Sequence, residues 1–102
     1  MPNTQQAATT RIDDIIDQRA LSKLKWRSRR GLLENDIFIE RFFKRYESVL
    51  TVRHAQGMSD LMALSDADLL DLHLGRKTLM QVDASLARDD ISEVLSMLRA
   101  IS

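Results

Sequence analysis

Arg30, Glu34 and Asp36 lie around Gly31 in the run Trp26-Arg27-Ser28-Arg29-Arg30-Gly31-Leu32-Leu33-Glu34-Asn35-Asp36-Ile37. A guanidinium and carboxylates so spaced make charge-assisted hydrogen bonds, the chemistry by which a protein holds a partner's carboxylates, carbonyls or donors. The glycine among them lets the backbone reverse and lets another surface come close, because no side chain blocks either. Two readings of these residues stand open. In one, Trp26, Arg29, Arg30, Gly31, Glu34 and Asp36 form a docking patch. In the other, Arg30 and Glu34 are an ion pair within the chain, worth about 0.2–0.5 kcal/mol, and Gly31 is a left-handed helix cap.

Other chemistry finds little to work with. The chain has no cysteine, which excludes disulfides, thiolate nucleophiles and cysteine metal sites. His54 and His73 have no second ligand at metal spacing, so both read as surface or boundary packing residues. The serines fall at caps and helix surfaces, with no G-x-S-x-G elbow and no glycine-rich phosphate loop. An enzyme with its own active site is not indicated. Lys23, Lys25, Arg27, Arg29 and Arg30 form a basic block with Trp26 interleaved, which could contact phosphates and stack on a base. The competing reading is a solvated helix face with Trp26 half buried at a helix junction. The helix after the turn carries Ile37, Phe38 and Ile39 where a DNA-reading helix needs polar side chains, and so reads as a core helix.

The elements that position these residues are helices. With 102 residues the chain is expected to form one domain, residues 10–102, behind a disordered tail, residues 1–9. A chain of this size buries roughly 60–70% of its unfolded surface. Lys+Arg and Asp+Glu both number 15, so bulk charge favours neither nucleic acid nor membrane. No apolar run reaches the ~18–20 residues of a membrane span, and the start of the chain lacks the pattern of a secretory signal. These features predict a soluble cytoplasmic protein. Three glycines and one proline leave the interior unbroken, and the apolar spacing is helical throughout, so the fold class is all-α, a compact bundle of about five short helices.

Residues 11–18 carry Ile12, Ile15 and Ile16 at helical spacing and suggest an extra turn or two. A first helix from about Arg19 to Arg30 buries Leu21, Leu24 and Ser28, and Gly31 ends it. A second, from about Leu32 to Glu47, has an apolar face of Leu33, Ile37, Phe38, Phe42 and Tyr46, widened by Ile39 and Phe43. A third starts at the cap Thr51, with Gly57 as its weak point. Ser65-Asp66-Ala67-Asp68 is a variant capping box opening a fourth, which Gly75 closes. The segment from Thr78 to Arg88 has no clear phase. Ile91, Val94, Leu95, Leu98 and Ile101 make a last helix, capped by Asp89 or Asp90. Met58, Met62, Met80 and Met97 read as core gap-fillers.

Trp26 through Phe43 resembles the small flavinylation factors of succinate dehydrogenase, in which an R-G-x-x-E motif follows a basic helix bearing a tryptophan. Here the motif is Arg30-Gly31-Leu32-Leu33-Glu34, followed by Asp36-Ile37 and the pair Phe42-Phe43. The acidic, leucine-rich start Leu64-Ser65-Asp66-Ala67-Asp68-Leu69-Leu70-Asp71 is a second similarity, with Gly75 and Arg76 at the end of that helix. Leu72 and Thr78 depart from the family, many of whose members carry tryptophan and proline there. The resemblance implies an all-helical assembly factor that binds the flavoprotein subunit of succinate dehydrogenase, and often of fumarate reductase; the chain itself is expected to be a monomer. It also implies promotion of covalent FAD attachment to that partner without a stably bound cofactor of its own. Trp26, Arg29, Arg30, Gly31, Glu34 and Asp36 are the partner-binding residues it implies.

Overall fold

Capping side chains divide the chain. The computed structural model describes residue 11 and residues 13–29 and 31–100. Asp17 accepts from the Ala20 N–H at 2.7 Å and opens α1, Gln18–Arg27. Helix α2 spans Leu33–Tyr46 behind Leu32, which offers no capping side chain. Thr51 and His54 form a reciprocal capping box at the start of α3, Val52–Met62, with the imidazole in the place usually held by Glu or Gln. Ser65 accepts from the Asp68 N–H to open α4, Asp66–His73. Thr78 and Gln81 make a second reciprocal box for the single turn α5, Leu79–Val82. A 3₁₀ turn, Ala84–Leu86, then leads into α6, Asp89–Arg99. These six α-helices and one 3₁₀ turn, with no strand among the described residues, are the all-α fold expected of the sequence.

Helix α4 ends as its sequence predicts. Gly75 has φ 74°, and the Arg76 and Gly75 N–H groups donate to Asp71 and Leu72 carbonyls at 2.8 and 3.1 Å. This is the Schellman pattern, with glycine in the left-handed position.

The helix after Asp17 starts later than an isoleucine count suggests. Residues 13–17 are not helical: Ile15 bridges Thr51 antiparallel, and Ile16 N–H donates to the Leu50 carbonyl at 2.9 Å. The cap itself is the reason, since Asp17 needs an extended backbone (ψ 171°) to reach back to Ala20. The expected tail 1–9, and Ile12 and Ile101, lie outside the described residues.

Three more expectations are corrected. Helix α6 is not capped by Asp89 or Asp90: Arg88 stands at its N-cap without a side-chain cap bond. The Asp90 carboxylate is turned to the Arg88 guanidinium at 3.1 Å, which also reaches Asp60 at 2.5 Å. Met80 is exposed rather than a core filler, whereas Met58 and Met62 are buried. Gly57 is no weak point. A Cβ there would stand 3.2 Å from the Asp90 carbonyl oxygen and 3.2 Å from Val94 Cγ2, so the glycine is what lets α3 and α6 cross in contact. Gly57→Leu is expected to cost about 1–3 kcal/mol or more through overpacking, read as a lower denaturant midpoint.

The core lies where α2, α3, α4 and α6 meet, with Phe42, Leu50, Met58, Leu61, Leu72 and Ile91 almost wholly inaccessible. Beside it, Glu93 of α6 accepts from His54 Nε2 at 3.0 Å and from Arg53. His54 first, then Arg53, hold the Glu93 carboxyl below its ordinary 4.5. A carboxyl depressed on folding stabilises the fold above its unfolded value, and that support is lost as pH falls through the folded value. The denaturant midpoint should therefore fall as pH drops below about 4.5, and Glu93→Gln should flatten part of that slope.

Candidate functional site

The junction of α1 and α2 is built by a buried serine. Ser28 is fully buried; its Oγ donates to the Leu24 carbonyl at 2.7 Å and its N–H to the same oxygen at 2.9 Å. This closes α1 at Arg27, with Ser28 as C-cap, so Gly31 is not its left-handed cap. Gly31 instead stands exposed in the connection, and a Cβ placed on it would meet nothing within 4 Å. The space over that backbone is open to another molecule.

Around it the side chains point outward. Trp26 is 75% exposed, not half buried, with the Arg29 guanidinium 5.7 Å from its ring centroid. Glu34 is exposed and Asp36 half-buried, both in the first turn of α2, where carboxylates oppose the positive helix end. An open groove between α1 and α2 is lined by Trp26 and Arg29 on one wall and by Asp36 and Glu40 on the other. Of the six expected docking residues, the structure sets Trp26, Arg29 and Asp36 around this groove, Gly31 in the connection between the two helices and Glu34 on the first turn of α2; Arg30 lies outside the described residues.

Two cations of the basic block turn in different directions. Lys25 turns to α2 and pairs with Glu47 at 2.9 Å, while Arg27 reaches Ser59 of α3 at 3.4 Å. Among the described residues, no cluster of three or more His, Asp or Glu could hold a metal, and no helix is long and apolar enough to cross a membrane.

The face of α2 is rotated from the expected one. Leu33 and Ile37, expected in the core, are 69% and 48% exposed, while Asn35, Ile39, Phe42 and Phe43 are buried. The residue the sequence reading passed over is Asn35. Its Nδ2 donates to the Asp66 carbonyl at 3.0 Å, and its Oδ1 lies 3.0 Å from His73 Nδ1. Because Nδ2 faces a carbonyl, Oδ1 must be the acceptor, and His73 Nδ1 carries the proton. His73, expected at the surface or boundary, is buried and stacks on Phe38 with ring centroids 4.6 Å apart. The available signal was spacing: Asn35 stands four, seven and eleven residues before Ile39, Phe42 and Tyr46, on the face that faces inward.

The chain is 45% identical over 85 residues to the FAD assembly factor SdhE of Ralstonia nicotianae, covering 83% of this chain and 86% of that one. It is 37% identical over 59 residues to the FAD assembly factor SdhE of Coxiella burnetii, covering 58% and 72%. No solved structure matches it. Residues 22–101, which include the α1–α2 junction and the buried Asn35, match the family described as flavinator of succinate dehydrogenase, and the chain belongs to that family.

Proposed function

We propose that this chain is a monomeric assembly factor that binds the flavoprotein subunit of succinate dehydrogenase and promotes covalent attachment of FAD to it. Fumarate reductase, whose flavoprotein carries the same kind of cofactor, is a second partner under this reading. The observation that carries it is the surface at the α1–α2 junction. There an open glycine backbone is flanked along the chain by an exposed tryptophan on α1 and by two exposed aliphatic side chains and two carboxylates on the first turns of α2. Exposed apolar groups among charges are what a protein partner desolvates and pairs.

The chain contributes contacts rather than a nucleophile, and it binds no cofactor stably. Attachment needs a flavin methyl carbon and a histidine nitrogen of the partner held at reacting distance. Ordering a mobile partner in that geometry accelerates the step through proximity. Arg30, Glu34 and Asp36 supply charge-assisted hydrogen bonds to the partner, Arg29 and Trp26 extend the contact, and Gly31 lets the two backbones approach.

The test is a reconstitution of purified flavoprotein subunit lacking covalent flavin, with excess FAD, with and without this chain. Flavin fluorescence of the denatured subunit is followed over time. The chain is expected to raise the labelling rate, and Arg30→Ala or Glu34→Ala to abolish the gain. An unchanged rate with a competent partner would overturn the reading.

A further inference from the structure

Helix α2 carries apolar residues on opposite sides. Ile39, Phe42 and Phe43 face the core, while Leu33 and Ile37, one helical turn apart, face solvent. Within the first turns of α2, burying Leu33 and Ile37 and leaving the polar side chain at 35 in water would suit hydrophobicity better, at the expense of Ile39 and Phe42 further along. The opposite is observed. Asn35 is fully buried, and both ends of its amide are engaged by α4: Nδ2 on the carbonyl of Asp66, in the first turn, and Oδ1 on Nδ1 of His73, the last residue. One amide is therefore clipped to both ends of a neighbouring helix. His73 is in turn stacked on Phe38 of α2, whose ring lies 5.1 Å from the Arg41 guanidinium.

We infer that Asn35, held by Asp66 and His73, is a positioning residue that sets the rotation of α2 and keeps Leu33 and Ile37 facing outward. A turn of α2 by one residue moves every side chain by about 100° and breaks both hydrogen bonds together, leaving a buried amide without partners. The pair thus adds to the burial of Ile39, Phe42 and Phe43 a polar penalty against any other rotational setting, as a buried polar residue fixes register in a coiled coil. That the presented face is the docking face rests on the function proposed above. That Asn35 aims it does not.

Because the chain has no cysteine, a single introduced thiol reports on one position. In the full-length chain, Leu33→Cys is placed alone and together with Asn35→Asp/His73→Leu, which puts an unpartnered carboxylate on the buried face, and its rate of reaction with a thiol reagent is measured. Val49→Cys, at an exposed position after α2, serves as the control. This pair is expected to slow labelling at Leu33→Cys by at least about tenfold, as fits a side chain moved from surface to core, and to leave Val49→Cys unchanged. Circular dichroism should stay helical. Unchanged labelling at position 33 in a folded double variant would overturn the inference.

A second comparison keeps Asn35 in place. His73→Asn puts an amide nitrogen near the position of Nδ1 and should retain fast labelling at Leu33→Cys, whereas His73→Leu should slow it. Equal rates for the two would also overturn the inference. The same variants go into the flavin reconstitution. Slowed thiol labelling with the flavin gain lost supports both the positioning role and the docking face. Slowed thiol labelling with the flavin gain intact supports the positioning role and removes Leu33 and Ile37 from the docking face.

Discussion

Phe42→Ala is expected to lower the unfolding free energy by about 3–5 kcal/mol, the range for a truncated core phenylalanine. Phe42 is 1% exposed and lies at the middle of α2, the helix that packs against both α4 and α6. Its ring meets Phe43 edge-on, centroids 5.1 Å apart, and Tyr46 at 5.9 Å, so the alanine removes aromatic contacts as well as filling volume. Helix α4 beside it is fixed at both ends, by the Ser65 cap and by the left-handed turn at Gly75. Such a frame relaxes little into a cavity, which puts the cost towards the upper part of the range. Domains of this size are stable by about 5–15 kcal/mol, and 1 kcal/mol moves their melting temperature by roughly 4–8 °C. Thermal unfolding of the variant should therefore begin more than about 10 °C below that of the parent. A fall of less than about 3 °C would mean that the core is not organised around this ring.

Much of the frame was legible in the residues because local chemistry decides it. Thr51, Ser65 and Gly75 are read correctly as boundaries since a cap or a left-handed turn depends on a few adjacent atoms. Leu21, Leu24 and Ser28 form the buried stripe of α1 as their spacing requires. The last helix is likewise visible in the spacing of Ile91, Val94, Leu95 and Leu98. Asp89, Asp90 and Gly31 are local misses, each a cap the chain does not use, and the other failures are tertiary. Gly57 reads as a weakness until α6 is known to cross it. Leu33 and Ile37 read as core because hydropathy counts them with Phe42, whereas the buried face runs through Asn35, Ile39, Phe42 and Phe43, with Asn35 bonded 38 residues along the chain to His73. Residues 13–17 read as helix because the isoleucine spacing allows it, and pairing with Thr51 is a non-local fact. Of the candidate site, the motif was visible as a charge pattern around a glycine, and its exposure was not. The two exposed aliphatic side chains within it were assigned to the opposite side of the helix.

Removing one charge from the motif is expected to cost the partner complex about 2–5 kcal/mol, a loss of roughly 30-fold to several thousand-fold in affinity. Glu34 is the sharper probe because it is exposed on the first turn of α2. Substitution of an exposed side chain away from the core changes stability by about 0.5 kcal/mol or less. Glu34→Ala should therefore melt within a few degrees of the parent while its effect on flavin labelling disappears. Phe42→Ala should behave in the reverse sense, melting early yet stimulating labelling at temperatures where it remains folded, because its ring is buried away from the α1–α2 surface. The contrast separates docking from folding. An Arg30/Glu34 contact within the chain, worth about 0.2–0.5 kcal/mol, is too small to produce a large loss of labelling by either route. If Glu34→Ala and Arg30→Ala each left labelling within about twofold of the parent, the motif would be no more than a helix connection. If the losses instead tracked the melting temperatures of the variants, stability rather than recognition would explain them. Loss of labelling without loss of stability requires the carboxylate and the guanidinium to be spent on a second protein.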